Sequence, residues 1–447
     1  MSGTRPGAGI LVPATFLHRG RLPAVRSGWQ GGGFTARAVR VTGPVSEQRL
    51  CAAVREVHAA LPALGVGLFE VDGRPGLRRD GELALRRHDV SGAEPAAREG
   101  RCVGLLLADR DRQPDPVREP LARFHVVRLD PGDLVLGLVG HELVLDERAL
   151  YLVLGAVMEA LRGRFRRDAY RDFTELGDFH PLDPAAAESR RRWWSRWFTA
   201  YPMPPAPGPA GSERAVRRMV VPADEWRALG DAGGAVRDHG SLGVAALVAW
   251  WLRRRAGRPD SAAFSTVLDL REYFDLGPMV GPLTDRIVFR IEEPGTAAPS
   301  FRAVLRAAQV GLIRAATHYL PYPELVELGA RLGRLRSPRT AALWDAHVHL
   351  CRHPSATGRS RGEEPLGIGV EHFGEAELLG VGARPGPDGW DGTNLDLRIG
   401  ALAGGDMALV LDANRRQPGY SADELLDGLR RAMSTAAADP DAPLETT

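Results

Sequence analysis

The feature that most narrows the fold is a nearly unbroken apolar run from Leu134 to Gly140, which ends against His141. Such a run predicts a strand covered on both faces. A turn at Asp130, Pro131 and Gly132 precedes it, and before that turn Ala122 to Leu129 is predicted as another strand. A helix is expected from about Arg148 to Leu161. His141 therefore sits between a buried strand and a helix.

At 447 residues the chain is too long for one ordinary core, and two lobes are expected. Strands are predicted over 34–42, 264–268, 286–291, 347–351, 366–372, 395–402 and 407–412. Helices are predicted over 46–61, 190–198, 242–255, 301–314 and 422–433, several from apolar residues at helical spacing such as Leu50, Val54, Val57 and Leu61. The segment 183–187 is expected to link the lobes, 202–212 to be a Pro- and Gly-rich loop, and the tail after Ala436 to fray.

Composition excludes several functions. The formal net charge of +2 supplies no basic field for nucleic acid. No apolar stretch reaches the 18 residues a membrane helix needs, and the N-terminus does not resemble a signal peptide. All 58 strongly basic residues are Arg. Without Lys there is no Schiff-base lysine and no phosphate-binding P-loop lysine. Cys51, Cys102 and Cys351 are far apart and odd in number, which argues against a disulfide framework or a CxxC zinc site. Cytoplasmic location follows as the default. No strand-GxGxxG-helix unit supports a nicotinamide fold, and no nucleophile elbow supports Ser-His-Asp catalysis.

The segment from Leu138 through His141, Glu142, Asp146 and Glu147 resembles the His-His-x-x-x-Asp-Gly signature of nonribosomal peptide synthetase condensation domains. Only His141 and Asp146 match within it. Other segments follow in the order of that family: the pair Trp193 and Trp194, then Arg271, then Val280, Gly281, Asp285 and Arg290. The last group resembles Gly-Arg, a spacer, and Ile-Gly-x-Phe-x-Asn-Thr-x-x-x-Arg, with Asp285 in the Asn position. Pro321, Tyr322 and Glu324 resemble a Pro-Phe-Glu helix start. The resemblance covers roughly residues 30–435.

It implies an α/β (α+β) fold of two chloramphenicol-acetyltransferase-like lobes in a V, each a mixed sheet with flanking helices. Residues 1–180 would form the first lobe, and 181–447 the second, carrying Arg271 and the 280–290 motif. A tunnel between the lobes would admit the phosphopantetheine arm of an acyl or peptidyl carrier protein as substrate, with no permanently bound cofactor. Asp146 and Arg271 would form a structural salt bridge tying the two halves.

The departures fall on the chemistry. Glu142 occupies the place of the second, functional His. Imidazole exchanges protons near pH 7, whereas carboxylates ordinarily titrate near 4.3 and need burial to become comparable bases. Glu147 replaces the motif Gly; it either narrows the tunnel or complements the dipole of the helix it begins. His347, His349, Cys351 and His353 alternate, so a strand would turn them to one side. Zinc is a poor expectation there, because i, i+2 ligands on one strand rarely close a tetrahedral site; a replacement imidazole for catalysis is a second reading, and packed histidines a third. His125 is expected to pack in its strand, Trp197 to extend the Trp193–Trp194 packing face, and Arg190 to Arg192 to be solvated.

Three functions fit these residues. One is acyl or peptidyl transfer from a carrier-protein thioester to an amine or alcohol, with Glu142 and His141 as the candidate catalytic residues and Glu147, Asp285, His347 and His349 as tunnel candidates. The second is a silent module that recruits a carrier protein or a tailoring enzyme. The third is a tunnel turned to another reaction on a tethered substrate. A freestanding polypeptide is expected from the start at Met1 and the short tail.

Overall fold

A computed structural model describes residues 10–12, 14–18, 33–71, 74–79, 81–112, 119–177, 180–200, 214–232, 239–255, 261–292, 294–295, 298–334, 345–350, 367–374, 378, 395–402, 405–414 and 420–444. The chain forms two compact units. The first comprises Met1–Pro181, Asp269–Thr284 and His353–Arg384, and the second Leu182–Leu268, Asp285–Arg352 and Pro385–Thr447.

The expectation that everything after residue 180 builds the second lobe is corrected. Two later segments return to the first unit and take Arg271 and Gly281 with them. Hydrogen bonding is the reason. Met279–Val280 pairs in parallel with Arg171–Asp172, and Gly369–His372 adds an antiparallel edge strand against Phe34–Thr42.

The apolar run becomes the middle strand of the first unit's five-stranded sheet, extending over Asp133–His141. It pairs antiparallel with Phe34–Thr42 on one side and Ala122–Asp130 on the other. Ala84–Asp89 then joins Ala122–Asp130 in parallel. Helices Glu47–Ala60, Pro95–Asp111 and Glu147–Leu161 cover this sheet with residues such as Leu50, Leu106 and Leu150, all fully buried. A buried strand this apolar stabilises the fold through area removed from water, about 25 cal/mol per Å².

The second unit holds a six-stranded mixed sheet in the order Thr284–Glu292, Ser261–Asp269, Ala346–Leu350, Leu395–Ala401, Met407–Asn414 and Arg214–Val221. Alternation divides its central strands cleanly. Phe264, Ala346, Val348, Leu395, Leu397 and Ile399 belong to a core with helices His239–Arg255, Phe301–Thr317 and Ala422–Ala438. Ser265, His347, His349, Asp396 and Arg398 occupy the alternate positions.

Two further expectations change. The segment 183–187 follows directly on the boundary between the units at Pro181–Leu182, and it supplies the start of the helix Pro184–Ala200 rather than an irregular link. The tail does not fray at Ala436. The last helix runs to Ala438, Leu444 is buried, and its N–H donates to the Pro299 carbonyl at 3.0 Å. The predicted 202–212 loop lies outside the described residues.

Helix Phe301–Thr317 rests almost backbone to backbone on its neighbouring strand. A Cβ on Gly311 would lie 1.9 Å from the Arg290 carbonyl oxygen, whereas one on Gly155, in helix Glu147–Leu161, would meet nothing within 4 Å. Opposite effects are expected from the same substitution. Gly155→Ala should stabilise by about 0.5–1 kcal/mol through helix propensity. Gly311→Ala should destabilise by about 1–3 kcal/mol through overpacking. Denaturant midpoints of the two variants, measured against the wild type, check both signs.

Candidate active site

The junction after the middle strand is held by backbone bonds. The N–H groups of Val144 and Leu145 both donate to the His141 carbonyl at 2.9 Å, and the Glu142 N–H donates to Gly33 O at 2.5 Å. His141 itself is buried. Its Nδ1 accepts from the Leu143 N–H at 3.1 Å, which puts the ring proton on Nε2. The Phe34 ring meets it edge-on at 4.7 Å, and the Arg123 guanidinium lies 4.3 Å over Phe34. The turn therefore fixes His141 in the core and presents Glu142, half-buried, beside it.

Asp146 carries the structural weight of the motif. As N-cap of helix Glu147–Leu161, it accepts from the Ala149 N–H at 2.8 Å through Oδ1. Arg271 reaches the same carboxylate with Nη2 to Oδ1 at 3.0 Å and Nη1 to Oδ2 at 2.9 Å. The Leu283 N–H adds a bond to Oδ2 at 2.7 Å. One carboxylate thus accepts four hydrogen bonds, one from its own helix and three from the returning segment 269–284. The guanidinium is saturated too. Its Nε donates to Met279 O at 2.6 Å, Nη1 also to Asp269 Oδ1 at 3.1 Å, and Nη2 also to Gly281 O at 2.7 Å. All five N–H groups of an arginine have acceptors.

Both ends of this bond lie in the first unit. The pair is an internal clamp, which corrects the expectation of a tie between halves. Burial alone would lower the Arg271 pKa, but the charges of Asp146 and Asp269 outweigh it and raise it. Asp269, the third member, was not anticipated from the sequence; its pKa is raised by burial, which the Arg271 charge opposes. Gly281 belongs here because a Cβ at its φ of 154° would lie 2.4 Å from Phe173 Cβ.

Glu147 opens its helix, where an acidic residue suits the dipole. Its Oε1 also accepts from Arg37 Nε at 3.1 Å and forms an ion pair with Nη2. Arg37 is buried in strand Phe34–Thr42, and its Nη1 donates to Ala36 O and Leu378 O at 2.7 and 3.0 Å. Replacing the motif Gly by Glu thus supplies the counter-charge of a buried arginine. The signal for it was Arg37 itself, a cation between Ala36 and Ala38 in a mostly apolar strand.

Asp285 is likewise committed to the framework, within the second unit. Its Oδ2 accepts from Tyr319 Oη at 2.7 Å and from the Tyr322 N–H at 2.9 Å, at the start of helix Tyr322–Arg331. The neighbouring helix Pro184–Ala200 packs there through Trp194, whose Nε1 donates to His318 O at 2.8 Å. The arginine run is only partly solvated. Arg190 donates to Tyr319 O at 2.7 Å and Arg191 pairs with Glu324 at 2.6 Å, while Arg192 stays exposed.

His347 and His349 lie on the same side of their strand, with ring centroids 6.1 Å apart. Cys351 and His353 fall outside the described residues. His347 Nδ1 is 2.7 Å from Ser265 Oγ, and its strand register places it beside Asp396. Burial pushes the His347 pKa down to about 3 against the attraction of Asp396. The imidazole is neutral at pH 7 and is a weak proton acceptor there, which disfavours it as a substitute base. His125 is buried, as expected of a packed residue. It does so in a polar network, with Nε2 3.1 Å from Asp109 Oδ2 and Nδ1 3.1 Å from His88 Nε2; Arg123 also binds Asp109 at 2.7 Å. No helix among the described residues is long and apolar enough to cross a membrane.

No family model matches the chain, and no curated protein does. Solved structures do. The tallysomycin biosynthesis protein TlmII is 42% identical, with a TM-score of 0.82 over 98% of this chain and 100% of that one. The first condensation domain of the calcium-dependent antibiotic synthetase is 21% identical, with a TM-score of 0.71 over 97% and 98% of the two chains. The starter condensation domain of rhizomide synthetase RzmA is 16% identical, with a TM-score of 0.73 over 98% and 97%.

Two outcomes are expected. Arg271→Ala strands a buried carboxylate and should cost about 3–5 kcal/mol. Arg271→Lys should recover little of it, because an ammonium cannot reproduce the two-pronged geometry; denaturant unfolding of both variants is the check. For His347, a folded-state pKa below the unfolded value of ~6.5 means that the unfolded chain takes up the proton first. Its contribution is complete above about pH 6.5 and is lost as pH falls toward 3, at most ~1.4 kcal/mol per pH unit. The stability gap between wild type and His347→Gln should therefore shrink between pH 7.5 and pH 5; an unchanged gap would show that His347 titrates normally.

Proposed function

Since the chain belongs to the condensation-domain family of nonribosomal peptide synthetases, we propose that it transfers an acyl or peptidyl group from a carrier-protein thioester to an amine or alcohol in natural-product biosynthesis. The observation that carries this reading is the intact clamp around Asp146 and Arg271, which holds the Glu142 turn in a chain 42% identical, over 98% of its length, to a tallysomycin biosynthesis protein. A framework kept to this degree supports reading Glu142 as the counterpart of the family's functional histidine.

In the proposed step the acceptor nitrogen or oxygen attacks the thioester carbonyl. The new C–N or C–O bond forms, the C–S bond breaks, and the phosphopantetheine thiol leaves. Glu142 takes the acceptor's proton and returns it to the departing thiolate. A carboxylate next to a fixed, Nε2-protonated His141 serves as base and orienter together. The phosphopantetheine arm arrives with the carrier protein as part of the substrate. His347 is assigned no proton transfer, for the reason its buried, neutral ring supplies.

The test uses the whole chain, a carrier protein loaded with an acyl-phosphopantetheine arm, and candidate amine and alcohol acceptors, with product followed by mass spectrometry. Glu142→Gln should reduce transfer by about 10²–10⁴-fold, and Glu142→His should retain more activity than Glu142→Gln. Product formation unchanged in Glu142→Ala, with carrier binding preserved, would overturn the transfer reading and leave a recruiting module in its place.

A further inference from the structure

A pocket of about 290 Å³ opens within the second unit, built by helix Pro184–Ala200, strand Thr284–Glu292 and helix Phe301–Thr317. None of the residues assigned to the transfer step lines it. Two segments that carry the family resemblance meet there, the tryptophan pair region and Arg290, and the proposed reaction uses neither.

The walls are aromatic and fixed. Trp193 stands edge-on to Trp194 at 4.8 Å and to His318 at 4.4 Å. Trp197 is buried and carries the Arg290 guanidinium 4.7 Å over its ring. The opposite side is hollow because the helix shows Ala303, Ala307 and Gly311 to it, at a spacing of four residues. Gly311 cannot bear a larger side chain, since the helix touches the Arg290 carbonyl there.

The rim is cationic. Arg306 and Arg314 are exposed and line the opening two helical turns apart. Arg314 faces Glu292 at 3.5 Å, an exposed pair worth little. Arg306 has no acidic partner among the described residues. Arg290, Arg306, Arg314 and Glu292 are the charged lining residues, and Val310 leaves exposed apolar surface beside them. A concave apolar cleft with a few charged groups at its edge is the usual form of a small-molecule site.

We propose that this pocket binds a small amphipathic anion of the aryl-alkyl carboxylate class. The apolar body lies between the two indoles and the Ala303–Ala307 side, and the carboxylate is taken by Arg306. The aromatic walls need no rearrangement to receive it, so little ordering is lost on binding. An uncharged analogue of the same shape would fill the walls and leave Arg306 without its partner.

Titration calorimetry of the full chain with 3-phenylpropanoate tests this. One saturable site is expected, weakened by added salt, with 3-phenylpropanamide binding about tenfold or more worse. Arg306→Ala should lose the same factor toward the acid and little toward the amide. Ala307→Trp should abolish binding of both by filling the cleft. Arg306 is exposed and its replacement should leave the unfolding midpoint unchanged, so this variant decides the matter even where Ala307→Trp fails to fold. No binding, equal binding of acid and amide, or unaltered binding by Arg306→Ala would each overturn the assignment.

Discussion

Everything at the candidate site depends on one saturated charge pair. Arg271 spends its five donors on Asp146, Asp269 and two backbone carbonyls, and Asp146 returns four acceptor contacts, one of them the cap of the motif helix. A buried pair gains little net energy over an apolar substitute and loses much when halved. Its value lies in geometry. It joins the end of the middle strand, the start of the helix and the returning 269–284 segment in one arrangement, and Glu142 is presented by the turn among them.

The same economy explains the other departures from the family motif. Glu147 neutralises Arg37, a buried cation in a strand with no acidic residue of its own. Asp285 takes a tyrosine hydroxyl and a helix N-terminal N–H, for which an anionic acceptor is at least as suitable as an amide. Polar groups taken out of water have been given partners of matching charge. The Glu142 backbone is anchored on Gly33 O, and its half-buried side chain belongs to the turn on which the proposed transfer is built.

The second unit separates two kinds of polar environment. On its sheet, Ser265, His347 and Asp396 form a cross-strand row in which burial keeps the imidazole neutral. Near helix Phe301–Thr317, guanidiniums remain at the mouth of an aromatic cleft. The first arrangement satisfies its own members; the second keeps charge toward solvent, which is the difference between a framework and a receptor.

Much of the fold was legible in the sequence because periodicity reports burial directly. The Leu134–Gly140 run, the Leu50 to Leu61 face and the Phe301 to Leu312 face all became core elements near their predicted bounds. Helix Pro95–Asp111 and strand Ala84–Asp89 escaped because arginines interrupt their apolar pattern, and folding brings acids to them: Asp109 to Arg86, Glu47 to Arg87 and Asp130 to Arg98. The residues Asp146, Arg271 and Glu142 were legible as a motif. Their mutual salt bridge was expected, but which unit Arg271 joins, that Asp269 also binds it, and that Glu147 meets Arg37 became visible only in the fold. Sequence alone determined which side chains must be buried or charged. Only the tertiary structure decided which partner each one meets, because pairs such as Arg37 with Glu147 join residues far apart in the chain that only folding brings together.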